Sequence, residues 1–281
     1  MPLCLFENIK IRIPLAMRHF PTIFLVLFSA ISTASYGADF QNGLAAANEG
    51  DYATALQEWL PLAEQGDTDA QFNLGQMYQM GWGVDRNYIT AFDWYTAASV
   101  QGDPRAQYNL AQMYQNGWGV DKNDRAALKW YTVSAEQGEP NAQFNLAQMY
   151  RKIMKDDKSA IKWYTLSAEQ GLALAQRNLG LLHARGLGTS ENFKNAIMWW
   201  TLAAEQNDEF SQYNLAFMYG RGLGVSKDYA TAHMWATISS GNGHEKALEM
   251  LETLESNMTI PQIRNAKNLF NECTSKNYIN C

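Results

Sequence analysis

A chain of 281 residues with 47% apolar content has enough material for one large or two small folded domains. A net charge of −6 with no basic run sets nucleic acid aside as a partner, because phosphate binding needs a concentrated positive face. Glycine and proline are too sparse for a disordered chain.

Residues 1–37 have the layout of a secretory signal peptide. Lys10, Arg12 and Arg18 are basic, Ile23 to Ile31 is apolar apart from Ser29, and Ser35-Tyr36-Gly37 puts small residues before Ala38. The apolar core is about a dozen residues, short for a bilayer span. An uncleaved anchor is the alternative, and Met17 is an alternative start. The expected location is the periplasm or outside the cell, with no integral membrane segment after signal cleavage.

From there the chain repeats itself, the signature of a stacked architecture. Ala70-Gln71-Phe72-Asn73-Leu74-Gly75-Gln76-Met77-Tyr78 returns from Ala106, Ala142, Ala175 and Ser211, at spacings of 36, 36, 33 and 36 residues. A Trp string follows each time: Trp94-Tyr95, Trp130-Tyr131, Trp163-Tyr164, Trp199-Trp200 and Trp235. Each unit reads as two helices. Gln71, Leu74, Gly75 and Tyr78 share one face at helical spacing, as do Ala91, Trp94 and Ala98. The small column Gly75, Ala111, Ala147, Gly180 and Ala216 permits close helix approach, with aromatics filling the space opposite. Asp51, Asn87, Asn123, Asp156, Asn192 and Asp228 stand as N-caps of the second helices. Gly66, Gly102, Gly138, Gly171, Asn207 and Gly243 end them with a left-handed residue. Pro104 and Pro140 fall near the start of the next first helix.

At the C-terminus, His244 to Glu255 predicts a further helix, and Thr259-Ile260-Pro261-Gln262 a capping box opening a last one that buries Ile263, Ala266, Leu269 and Phe270. Cys4 leaves with the signal. Cys273 and Cys281, eight positions apart in an exported chain, read as one disulfide; free thiols are the alternative, and a zinc site lacks nearby His. The predicted organisation is a signal peptide (1–37), a degenerate first repeat (38–69), repeats at 70–105 and 106–141, a shortened repeat at 142–174, repeats at 175–210 and 211–243, and capping helices with a disulfide tail (244–281).

The Leu-Gly-x-x-Tyr or Leu-Ala-x-x-Tyr string, the Ala-x-x-Trp string and the loops Gly81-Trp82-Gly83-Val84, Gly117-Trp118-Gly119-Val120, Gly186-Leu187-Gly188 and Gly222-Leu223-Gly224-Val225 resemble the Sel1-like repeat family, a relative of tetratricopeptide repeats. The resemblance covers residues 40 to 256. It implies an all-α fold, a right-handed α-solenoid of antiparallel helix pairs whose concave face is lined by the first helices. It also implies adaptor roles in signalling, envelope assembly or host contact. The unit from Ala142 departs from the pattern: three residues and the Gly-x-Gly loop are gone, leaving Lys152-Ile153-Met154-Lys155.

On the first-helix face opposite the core, with Phe72 at its edge, Asn recurs in every unit: Asn73, Asn109, Asn145, Asn178 and Asn214. Such amides either bond an extended peptide or bond neighbouring helices and set the stacking. Early units add Gln76, Gln112 and Gln148; late ones change to Leu181, Phe210 and Phe217 with Arg177, Arg185 and Arg221. Arginine beside exposed aromatics is the composition of an interaction hot spot, so the C-terminal half is expected to anchor a partner segment with apolar and acidic groups. Trp82 and Trp118 are expected to pack against the next unit rather than stack on sugar rings.

No catalytic constellation, metal site or cofactor is expected. Ser159-Ala160-Ile161-Lys162 spells the Ser-x-x-Lys string of penicillin-recognising enzymes, but at the solvated start of a second helix. The Gly-x-Gly loops lack the strand a dinucleotide site needs. His183 and His233 read as core histidines. The reading is therefore a cell-envelope scaffold binding an unidentified protein or peptide along its groove. The alternative is an envelope enzyme or a peptidoglycan- or carbohydrate-binding protein. A cysteine-rich branch of the family has been linked to beta-lactam binding, which this chain resembles weakly, having only its terminal cysteine pair.

Overall fold

A computed structural model describes residues 37–279 and Cys281; the signal-peptide segment expected over 1–37 lies, but for Gly37, outside them. The described residues form fourteen α-helices and no strand, in two compact units that divide between Gln137 and Gly138. The first holds α1 (Phe40–Glu49), α2 (Tyr52–Glu64), α3 (Thr68–Met80), α4 (Tyr88–Val100), α5 (Pro104–Asn116) and α6 (Asp124–Glu136). The second holds α7 (Pro140–Lys152), α8 (Asp157–Glu169), α9 (Ala173–Arg185), α10 (Phe193–Ala204), α11 (Glu209–Arg221), α12 (Tyr229–Gly241), α13 (Lys246–Glu255) and α14 (Ile260–Ser275). Within each unit the helix pairs from α1–α2 to α11–α12 pack as hairpins, the repeat α-solenoid fold expected from the sequence.

The capping residues do what their chemistry requires. All six second-helix N-caps, Asp51, Asn87, Asn123, Asp156, Asn192 and Asp228, accept a backbone N–H from the first turn. All six residues expected to end these helices have positive φ, Asn207 included at 66°. Pro104 and Pro140 open α5 and α7, where a missing N–H costs little. Thr259 and Gln262 complete the reciprocal capping box of α14. In the shortened repeat Lys155 adopts the left-handed conformation, φ 57°, that glycine supplies elsewhere.

The cores are stacked aromatics against small residues. Tyr95, Tyr131 and Tyr164 are fully buried, and Phe72, Tyr108 and Phe144 tilt against them at 5.7–6.0 Å. Phe72 thus belongs to the core and not to the edge of the opposite face: the Tyr95 ring draws it inward. A methyl group at Gly75 would sit 2.6 Å from the Tyr95 ring, and one at Gly180 2.6 Å from Trp200, so the small column is what admits these rings.

Trp82 and Trp118 stack on Tyr52 and Tyr88, at 5.4 and 5.7 Å. The partner is the second helix of the preceding repeat, not the next one, because Gly83 and Gly119 bring each loop back onto its N-terminus.

A second device is polar. Gln71, Gln107, Gln176 and Gln212, all buried, each donate from Nε2 to a carbonyl eight residues earlier, at 3.0–3.2 Å. Their Oε1 atoms accept from Gln101, Gln137, Gln206 and Asn242 at 2.6–2.9 Å. Each buried amide therefore clasps the ends of two successive second helices, adding a side-chain donor to a carbonyl that also accepts a backbone N–H of the helix's C-terminal turn.

At the C-terminus α14 packs on α12, burying Ala266 fully and Ile263, Leu269 and Phe270 in part. Cys273 and Cys281 are bonded, their Cα atoms 5.2 Å apart. So short a loop limits the entropic gain, and Cys281→Ser is expected to cost about 2 kcal/mol or less. Amide exchange should accelerate at the end of α14 and stay unchanged in α11 and α12.

Candidate functional site

Within each unit, side chains tie one first helix to the next. In the first unit Arg105 of α5 pairs with Asp69 of α3 and with its own N-cap Asp103, and its guanidinium lies 4.4 Å from the Phe72 ring. In the second, Arg177 of α9 pairs with Asp208, the N-cap of α11, at 3.0 Å and lies 4.9 Å from the Phe210 ring. Such pairs over aromatic faces fix one helix against the next.

The first unit's amides are largely engaged within the protein. Tyr95, whose hydroxyl burial pushes well above its ordinary range, is opposed in this by a hydrogen bond with Asn109 of the next repeat. The Tyr95 and Tyr131 hydroxyls donate to Gln79 and Gln115 at 2.6 and 2.8 Å. Gln112 donates to the Tyr108 hydroxyl. Asn73 and Gln76 are half-buried on the same face.

The second unit presents different chemistry. Asn145, Asn178 and Asn214 are half-buried, and Gln148 accepts from Lys152. Leu181 packs in part against the core around Trp200 and Trp235. Arg185 is exposed, and Phe210 and Phe217 keep 48% and 41% of their surfaces in water, which is unusual for phenylalanine. Of these residues the structure brings Phe217 and Arg221 together, the guanidinium 5.8 Å from the ring. It also lays Arg177 over the Phe210 ring, but that guanidinium is committed to Asp208.

Beside Phe217 and Arg221, α11, the start of α12 and α13 border an open hollow of about 410 Å³. Sequence reasoning missed Lys227, Lys246 and Met250 on its wall. The signal that could have found it is Gly220, in a column that elsewhere holds Gln79, Gln115, Arg151 and Ala184.

Next to the cavity, His244 stacks on Tyr213 at 4.3 Å and meets Phe210 edge-on at 5.0 Å. Desolvation holds its pKa below the ordinary imidazole range, with Lys246 adding to this and Glu209 and Glu245 opposing it. A depressed folded pKa means that the unfolded chain takes up the proton first. This contribution to stability is therefore full above the ordinary imidazole pKa and declines as pH falls below it. Between about pH 7 and pH 5 the wild-type denaturation midpoint is expected to fall more steeply than that of His244→Phe. Parallel slopes would count against it. His183 is depressed in the same sense by burial and supplies part of the residual slope.

The remaining chemistry is structural. The Ser159 hydroxyl donates to its N-cap Asp156, and the Lys162 ammonium lies 5.3 Å from the Trp163 ring. His233 is buried against Glu255 at 2.9 Å. Among the described residues no group of three His, Cys, Asp or Glu side chains is placed to hold a metal ion. No described helix is long and apolar enough to cross a membrane.

The Sel1 repeat family model matches residues 68–103, 104–139, 140–172, 173–208 and 210–244. Among solved structures the chain is similar to a protective antigen present in uropathogenic Escherichia coli strains, displaying an SLR fold. The identity is 32% over 86% of this chain, with a TM-score of 0.77, and the match spans only 55% of that protein. It is also similar to a Sel1 repeat protein from Oxalobacter formigenes, at 30% identity over 75% of this chain and 88% of that one, with a TM-score of 0.70. No curated protein matches.

Proposed function

This chain belongs to the Sel1 repeat family, whose members generally mediate protein–protein interaction, and we propose that it is an exported scaffold of the cell envelope that holds a partner segment along the first-helix face of its Gly138–Cys281 unit. The observation that carries this reading is the exposure of Phe210 and Phe217 on a face that also bears Arg185 and Arg221. Large rings beside arginine supply contact area and directed hydrogen bonds at little entropic cost. Export is supported by the basic and apolar pattern of the first 37 residues and by the terminal disulfide. The family is typically non-enzymatic.

The test is affinity capture from native envelope extract, using the chain from Ala38 onward, which contains all fourteen described helices. One variant bait carries Leu174→Asp and Arg185→Glu, exposed positions of α9; a control carries Ile89→Asp and Val100→Asp, exposed positions of α4. A protein retained by wild type and control but lost by the α9 variant is the expected result. Equal capture by all three baits overturns the assignment to this face.

A further inference from the structure

We propose that the cavity between α11 and α13 is the seat of a short acidic peptide segment that inserts one aromatic or aliphatic side chain; this rests on the scaffold reading above and names the partner's chemistry. One departure from the repeat pattern, Gly220, lies in the wall of this cavity, and a second, Ala236, lies in the core behind it. In the first unit the column of Gly220 holds Gln79 and Gln115, which accept from Tyr95 and Tyr131. In the last repeat that position is Gly220, and the tyrosine position after Trp235 is Ala236. Gly220 does not have positive φ, and a Cβ there would meet only Leu254 at 3.4 Å and Ala232 at 3.6 Å. Sterics therefore allow a side chain that the sequence omits. The hollow is about 410 Å³, in the range of sites that enclose a ligand group.

Its walls are of two kinds. Tyr213, Phe217 and Met250 offer apolar and aromatic surface, and Met adapts its shape to what it meets. Arg221, Lys227 and Lys246 surround this surface, with Glu249 the one carboxylate. None of the three cations is in an ion pair among the described residues. Two are held over rings: Arg221 over Phe217, and Lys227 over Tyr229 at 4.5 Å. Held there, they keep N–H donors for a ligand. A local excess of positive charge on a chain of net charge −6 selects carboxylates by complementarity. The apolar walls require that the carboxylates flank a side chain able to fill the hollow, which favours a peptide over a bare anion.

The experiment is fluorescence polarisation of the chain from Ala38 against an array of short labelled peptides, each with one Phe, Tyr or Leu flanked by Asp and Glu. Matched peptides carry Asn and Gln in place of the acids, or Ser in place of the apolar residue. Saturable binding by acidic apolar peptides, weakened by rising salt and lost in both matched sets, is expected. Lys227→Glu with Lys246→Glu should weaken it by about tenfold or more. Gly220→Leu, which fills the hollow and leaves every charge in place, should abolish it. Thermal unfolding of both variants is read alongside; the lysine variant alters only exposed positions and keeps the test decisive should Gly220→Leu misfold.

Equal binding by the Asn and Gln peptides, no binding by any peptide, or binding indifferent to both variants overturns the proposal. So does sedimentation showing self-association that Gly220→Leu removes, since the occupant is then a second copy. Capture dependent on Leu174 and Arg185 alongside a silent array leaves the scaffold reading standing and removes only this pocket. Specific peptide binding with capture indifferent to α9 does the reverse.

Discussion

Gly119→Ala is expected to cost the first unit about 2–4 kcal/mol, the sum of a left-handed backbone penalty and an overpacked contact. Gly119 has φ +70°, and a Cβ built on it falls 2.2 Å from the Tyr88 carbonyl oxygen and 2.4 Å from its carbon. Both obstructing atoms are backbone at the first residue of α4, so no rotamer relieves them. The loop must lift, and Trp118, stacked on Tyr88, lifts with it. Gly117 in the same loop is the control. It has φ +75°, but its Cβ would find nothing closer than 3.6 Å, so Gly117→Ala should cost only the conformational part, about 1–2 kcal/mol. Urea denaturation of both variants measures the difference. Equal losses would show that the close approach of the loop to α4 carries no weight.

Gln212→Leu is expected to cost about 1–2 kcal/mol, the net worth of two hydrogen bonds, although it keeps the volume and adds apolar surface. Gln212 is fully buried, donates to the Ala204 carbonyl at 3.1 Å and accepts from Asn242 Nδ2 at 2.9 Å. Leucine leaves the Ala204 oxygen with the Asn207 N–H as its donor and removes both side-chain bonds of the clasp. The Asn242 amide is exposed and recovers a partner from solvent once Gln212 is replaced, whereas Asn242→Ala alone strands the buried Gln212 Oε1 and should cost about 1–2 kcal/mol. In a double-mutant cycle the two changes should therefore be less than additive. A Gln212→Leu protein as stable as wild type would show that the clasp contributes nothing.

What could be read from the sequence follows from how local the chemistry is. The six Asp and Asn caps bond within three residues of themselves, so residue type and position suffice to find them. The left-handed Gly and Asn positions are legible for the same reason. The glutamine clasp was not, because its meaning lies in partners eight residues back and about thirty ahead in the fold. On a helical wheel Gln212 is only another residue of the core face. The direction in which Trp82 and Trp118 pack was misread because a loop's return path depends on Gly83 and Gly119 closing on earlier backbone.

The candidate site was legible in part. Phe217 and Arg221 announced themselves as late changes in a repeating column. Arg177 shared that signature, yet Asp208 reaches it from a neighbouring helix. Lys227 repeats the basic residue of Arg86, Lys122 and Lys155, and Lys246 lies beyond the last repeat, so neither stands out, and only the packing of α13 brings them to the same hollow.

The glutamine clasp also bears on how such a chain could lengthen or shorten over generations. A whole period, from Gln71 through Ala106, contains one amide that bonds the carbonyl before it and a second, Gln101, that donates to the first. Copying or excising a whole block at that register adds or removes a donor and an acceptor together, and no buried polar atom is stranded at the seam. Loss of a fraction of a period strands one. The internal bonding thus rewards gene-level duplication in whole periods and penalises it in fractions, whatever the first-helix face is later used to hold.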